Sequence, residues 1–185
     1  MSQIKLSSNP SGTGIFTLES PATNTNRTLT LPDNTGTILT SATTTGFPAG
    51  SVLQVVQGNY ANTTSTTSTS YVDTGLSASI TPTATSSKVL VIVEASISQI
   101  SSGVSARFVI DRNGTKPQDP NFIQSFPVGD GTTLAFAYLD SPSSTSSLTY
   151  KIQMKNEAGG YTTIFGNESG SAYTYNTLTL MEIAA

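Results

Sequence analysis

Apolar and polar positions alternate along most of this chain with the period of a strand, not that of a helix. Val, Ile, Thr, Tyr and Ser recur at every second place, whereas Ala, Leu, Glu, Lys and Gln never return at helical spacing over a useful window. The alternation predicts strands over Val52–Tyr60, Tyr71–Thr74, Leu76–Ile80, Lys88–Ile97, Val104–Asp111, Thr132–Leu139, Leu148–Lys155, Tyr161–Phe165 and Ala172–Ile183. Short strands in that number, separated by turns, are the pattern of a β-sandwich or jelly roll. The run Asn62–Ser70 is almost pure Ser and Thr and reads as a solvated loop. Asn113-Gly114 is a two-residue turn signal, expected to close a hairpin after Val104–Asp111.

Ahead of these strands the pattern changes. Gly14–Leu18 runs to Pro21, and Arg27–Leu31 runs to Pro32-Asp33-Asn34-Thr35-Gly36, a weak internal repeat of short strands ending at prolines that cannot donate to a ladder. Ile4, Leu6, Phe16, Leu18, Leu29, Leu31, Ile38 and Leu39 are too few and too spread out for a core of their own, so other chains are expected to cover them. The stretch Thr43–Gly50, with Gly46, Pro48 and Gly50, is the best boundary. The expected division is a shaft or anchoring segment over 1–45 and a jelly-roll-like head over 46–185. The expected fold class is all-β, homotrimeric.

Strand faces carry the oligomer expectation. In Lys88–Glu94, Val89, Val91 and Val93 face one way while Leu90 and Ile92 face the other, and near the end of the chain Leu178 and Leu180 oppose Met181 and Ile183. One face of a sandwich strand ordinarily meets water, and no helix is predicted that would cover a second apolar face. A neighbouring subunit is the expected cover, with Leu90, Ile92, Leu178 and Leu180 as its contacts.

Composition narrows the chemistry. The 185 residues contain no Cys and no His, which removes Ser-His-Asp and Cys-His nucleophiles, disulfides and the usual zinc ligand sets. Charged residues make up 10% of the chain, the formal net charge is −3 and no run of Lys and Arg occurs, so nucleic acid is not an expected partner. No apolar stretch reaches the length of a membrane helix, and Met1–Leu6 lacks the apolar core of a secretory signal. Carboxylate pairs are what remains for catalysis. Asp111, Asp119, Asp130 and Asp140 stand beside turn formers and read as turn caps. Glu94, the one acid within an apolar strand, is expected either to be exposed or to pair with Arg107. No catalytic, metal or cofactor-binding residue is expected, and no cofactor. Aromatic residues gather in the second half, and Tyr161, Tyr173 and Tyr175, near glycine- and serine-bearing loops, form a candidate surface for a receptor or partner, since tyrosine stacks on sugars with its ring and bonds with its tip.

The stretch Ser11–Leu18, continued by Pro21–Leu39 with its core Arg27-Thr28-Leu29-Thr30-Leu31-Pro32-Asp33 and Thr35-Gly36-Thr37, resembles a segment common in tail-fibre and other structural proteins of tailed phages, particularly aquatic ones. More loosely, Tyr71–Leu76, Ser86–Val91 and Leu178–Ile183 are similar to distal domains of the same proteins. The resemblance implies an intertwined trimeric shaft or virion anchor followed by a trimeric jelly roll of the tumour necrosis factor type, whose final strand lies near the three-fold axis. It implies no catalytic residues. Within it, the expected function is a homotrimeric tail fibre-type appendage of the virion, assembled in the host cytoplasm and engaged in host attachment. Its expected partners are other virion proteins of tail, baseplate or capsid, and a host surface glycan. Capsid decoration, as cement or head fibre, is the alternative, and a glycan-depolymerising spike a remote one.

Overall fold

The computed structural model describes residues 10–15, 17, 22, 24–26, 28, 47–99, 105–117, 122–125, 132–166 and 176–185. The chain separates into two units, Met1–Ile38 and Leu39–Ala185. All ten described strands belong to the second: β1 (Val52–Tyr60), β2 (Thr64–Thr66), β3 (Val72–Ile80), β4 (Lys88–Gln99), β5 (Ser105–Arg112), β6 (Phe122–Ser125), β7 (Thr132–Asp140), β8 (Leu148–Asn156), β9 (Thr163–Phe165) and β10 (Asn176–Ile183). There is no helix among the described residues.

The strands form two antiparallel sheets. One runs β3-β8-β5-β6. In the other, β1 pairs β10, β10 pairs β4 over Lys88–Glu94, and β7 pairs the opposite edge of β4 over Val89–Ile97. Past the end of β10, β9 takes its place beside Ile97–Gln99, and β2 in turn pairs β9, so β2 and β9 continue the lines of β1 and β10. Successive long strands therefore cross between the sheets in the order that gives β1-β10-β4-β7 facing β3-β8-β5-β6, which is the strand order of a jelly roll. Connections of this kind need no helix, because each strand returns over the opposite sheet.

Period-two alternation decides which side chains meet. Val89, Val91, Val93, Ala95 and Ile97 point inward from β4 against Leu76, Ala78 and Ile80 of β3, Ala106, Phe108 and Ile110 of β5, and Leu148, Tyr150, Ile152 and Met154 of β8. Leu134, Phe136, Phe165, Leu178 and Leu180 complete the same core. Burying each large aliphatic side chain contributes about 1.5–3 kcal/mol, and β4, flanked on both edges, supplies five inward positions. The rings of Phe108 and Phe165 meet at a tilt across the interior, 6.4 Å between centres, with Tyr60 6.2 Å from Phe165.

Several expected elements take a different form. Tyr71–Thr74 and Leu76–Ile80 are one strand: Gly75, at φ +97°, absorbs a register shift between Asp73 and Ser77 without ending the pairing with β8. Asn62–Ser70 is not loop throughout, since Thr64–Thr66 pairs with Thr163–Phe165; a Ser/Thr run has no apolar period, and its pairing partner creates the strand. The four residues of β6, absent from the expected strands, pair with Ser105–Phe108. Asn113-Gly114 forms the tight turn, with both residues at positive φ, but it closes only the bridge between Arg112 and Thr115, and the hairpin partner of β5 begins later, at Phe122. Val104 and Ala172–Tyr175, the outer ends of two expected strands, lie outside the described residues.

Candidate functional site: two unlike outer faces

The jelly roll presents a charged face on one side and an apolar face on the other. Outward from β3, β8 and β5 stand Asp73, Lys151, Gln153, Lys155 and Arg107. Asp73 accepts from Lys151 Nζ at 3.0 Å and from Gln153 Nε2 at 2.7 Å. Glu157 pairs with Arg107, and with Lys155 at 3.6 Å. Asp111 faces Lys116 at 3.6 Å and also accepts the Gly114 amide at 3.0 Å, which is the turn-capping role read from its neighbours. Lys116 and Lys155 both lie over the Tyr71 ring, 5.4 and 5.3 Å from its centre. Hydrogen bonds from Gln153 and Lys151 hold the Asp73 carboxyl below its ordinary range, and Arg107 does the same for Glu157. Cations dispersed along the sequence are thus collected on one sheet, but acids interleave them.

The opposite face has another character. Cross-strand register aligns Val55, Met181, Leu90 and Leu139 in one row across β1, β10, β4 and β7. The next row is Gln57, Thr179, Ile92 and Ala137, in which Gln57 Nε2 donates to Thr179 Oγ1 at 3.0 Å, and beyond it come Asn59, Thr177, Glu94 and Ala135. On the other side of the apolar row lie Val52, Ile183 and Lys88. Val52, Val55 and Leu139 are 53%, 56% and 47% exposed, while Leu90, Ile92, Met181 and Ile183 are half-buried. A continuous apolar row over four strands, rimmed by amides, hydroxyls and two charges, is the strongest candidate interaction surface among the described residues.

The expected contacts divide accordingly. Leu90 and Ile92 lie on this outer face. Leu178 and Leu180 do not: both are fully buried in the chain's own core, paired with Val93 and Val91, and have no surface left for another subunit. The residues of β10 that face outward are Thr177, Thr179, Met181 and Ile183. Of the three tyrosines, Tyr161 is half-buried in the β8–β9 connection, where its carbonyl accepts from Asn156 Nδ2 at 2.9 Å; Tyr173 and Tyr175 lie outside the described residues. Glu94 is exposed, and Arg107 is not its partner, since β5 belongs to the other sheet and the guanidinium is committed to Glu157.

Two further buried acids serve the fold. Asp140 accepts from Arg112 and from Tyr150 Oη, tying the end of β7 to β5 and β8 across the sandwich. Burial, with the neighbouring Asp140, pushes the Tyr150 hydroxyl well above its ordinary range. Glu182, which sequence reading passed over, is fully buried and accepts from Gln54 Nε2 at 2.6 Å and from the amide and hydroxyl of Thr83 at 2.7 Å each. Burial raises its pKa, but the donors of Gln54, Ser87 and Thr83 prevail and hold it below the ordinary value. The signal was present in the sequence: Glu182 shares the face of Leu178 and Leu180. Asp119 and Asp130 lie outside the described residues. Among the described residues no group of three or more Asp or Glu is placed to hold a metal ion, and no helix is long and apolar enough to cross a membrane.

No protein-family model matches the sequence, and no curated protein matches it. Among solved structures, the chain is similar to the VP2 subviral particle of infectious bursal disease virus, at 14% identity over 71% of this chain and 37% of that one, with a TM-score of 0.43. The Gt strain of the same virus gives 13% identity, 80% and 42% coverage, and a TM-score of 0.45. The chain spans about two-fifths of the length of those proteins.

Proposed function

We propose that this chain is a non-enzymatic structural protein of a virus particle, a homotrimeric tail fibre-type appendage of a tailed phage whose jelly-roll unit contributes to host attachment. The observation that carries the reading is the row Val55, Met181, Leu90 and Leu139, an apolar surface that a lone copy leaves in water. Two features support it. The segment Arg27–Asp33 with Thr35-Gly36-Thr37 is of the kind found in phage fibres. The acids Asp73, Asp111, Asp140, Glu157 and Glu182 are each engaged by donors that serve the fold, so none of them stands as an acid or base beside an open groove.

Electron microscopy of particles labelled with antibody against the chain tests the assignment. Label on the tail is expected; label confined to the shell would replace the fibre with a capsid-decorating role, and unlabelled particles would remove the virion reading. Purified protein added to host cells before infection is expected to lower adsorption, and unchanged adsorption would remove the attachment role. Incubation with host polysaccharide is expected to leave its size unchanged, whereas shortened chains would show an enzyme.

A further inference from the structure

Charge on the apolar face is placed differently from charge elsewhere. Among the described residues the cations and acids of the opposite sheet are joined in ion pairs, as are Arg112 and Asp140, and Glu182 is held by buried donors. Among the described residues, Lys88 and Glu94 are the two charged side chains that hold neither an ion pair nor a hydrogen bond, and both are exposed. They stand on the same outward face of β4, at the two ends of the series Lys88, Leu90, Ile92, Glu94. A cation and an anion bracketing an apolar centre on one strand are complementary to the same series in another copy, provided that the ends meet in opposite sense.

We infer that the copies meet through this face and close head to tail, with Lys88 of each copy against Glu94 of the next. The inference rests on the trimeric reading above and specifies its interface. Six residues of extended chain separate the two charges by about 20 Å. Three such faces forming a triangle of that side each lie roughly 6 Å from the common axis, which is close to half the ~10 Å spacing of packed sheets. Leu90, Ile92 and Met181 then fill the centre, and each corner joins a lysine to a glutamate. Copies with β4 running parallel along the axis would instead gather lysines at one end and glutamates at the other, which like-charge repulsion disfavours.

Sedimentation equilibrium of the full chain over a concentration series, with circular dichroism as the check on folding, is the first measurement. Lys88→Glu and Glu94→Lys are each expected to weaken association about tenfold or more, and the double reversal to restore it to within about threefold of the parent. Both positions are exposed, so the fold is expected to persist. If the single reversals leave a trimer intact, or the double is as weak as either, this interface is wrong although the trimer stands. A parent chain that stays monomeric at all concentrations overturns both readings.

Because the chain has no cysteine, a second measurement uses a short bis-maleimide on the Lys88→Cys, Glu94→Cys double variant, read on a denaturing gel. A ladder ending at three chains is expected, with no product from either single variant. A ladder ending at two chains, product from a single variant, or no product from a chain that sediments as a trimer would each overturn the head-to-tail contact.

Discussion

Glu182 is enclosed by protein yet stays ionised, because Gln54, Thr83 and Ser87 supply neutral donors where a cation would be the ordinary partner. Those donors fix the β3–β4 connection and β1 to the last strand, so the carboxylate is a clasp. Its folded pKa lies below the ordinary 4.5, so the unfolded chain takes up the proton first. Its stabilising contribution is full above about pH 4.5 and fades as pH falls through the lower folded value. Glu182→Gln is expected to cost about 1–3 kcal/mol at pH 7 and much less at pH 3, measured by urea unfolding at both. Asp140→Ala strands Arg112 and Tyr150, and is expected to cost about 3 kcal/mol, read in the same way. Sequence parity alone puts Glu182 on the same face as Leu178 and Leu180. What parity leaves open is which face of a strand is the inner one, and that ambiguity assigned two core leucines to a subunit contact. Lys88 and Glu94 were equally visible as the ends of a period-two series, but their lack of partners emerged only when topology had paired the other charges.

Strands announce themselves when both a period and a core are available to them, as in β1, which runs over the expected Val52–Tyr60, and in β4, β7 and β8, whose observed ends lie within two residues of expectation. Where pairing alone makes the strand, as for Thr64–Thr66, nothing in the residue pattern announces it. Glycine in a strand is the other source of misreading. Gly75 looks like a break but is a bulge, and a Cβ there would stand 2.4 Å from the Tyr60 ring. Gly58 lets β1 pass against β3 so closely that a Cβ would lie 2.0 Å from the Ser77 carbonyl oxygen. Backbone cannot yield as a side-chain tip can, so Gly58→Ala is expected to lower stability by about 1–3 kcal/mol. Thermal unfolding followed by circular dichroism checks it, and an unchanged midpoint would mean that β1 can lift off β3 at no cost. Hydrogen exchange should report the same layering, with amides of β4 and β10 in one sheet and of β8 and β5 in the other the slowest, since each lies between two neighbours.

For the whole molecule, the core residues among those described run from Leu76 to Leu180, with Val56, Tyr60, Val72 and Tyr138 packed against them. A fragment covering 46–185 is therefore expected to unfold cooperatively, with a midpoint within a few degrees of the full chain's. A molten fragment would show that the leading residues complete the core. The two-sheet class was legible from strand count and alternation, whereas the unlike faces were not, because Asp73, Arg107, Lys116 and Lys151 come from four separated stretches. One detail of the backbone bears on engineering. The Gly50 amide donates to the Ala184 carbonyl at 2.7 Å and the Ala184 amide to the Ser51 carbonyl at 2.9 Å, so the chain enters and leaves the jelly roll at one spot. The fold is thus a ring with a single seam. A short glycine bridge sewn across that seam, with the cut moved to the exposed Thr145-Ser146, should give a permuted protein of the same shape whose tether emerges from another side, free to be hung on a different support.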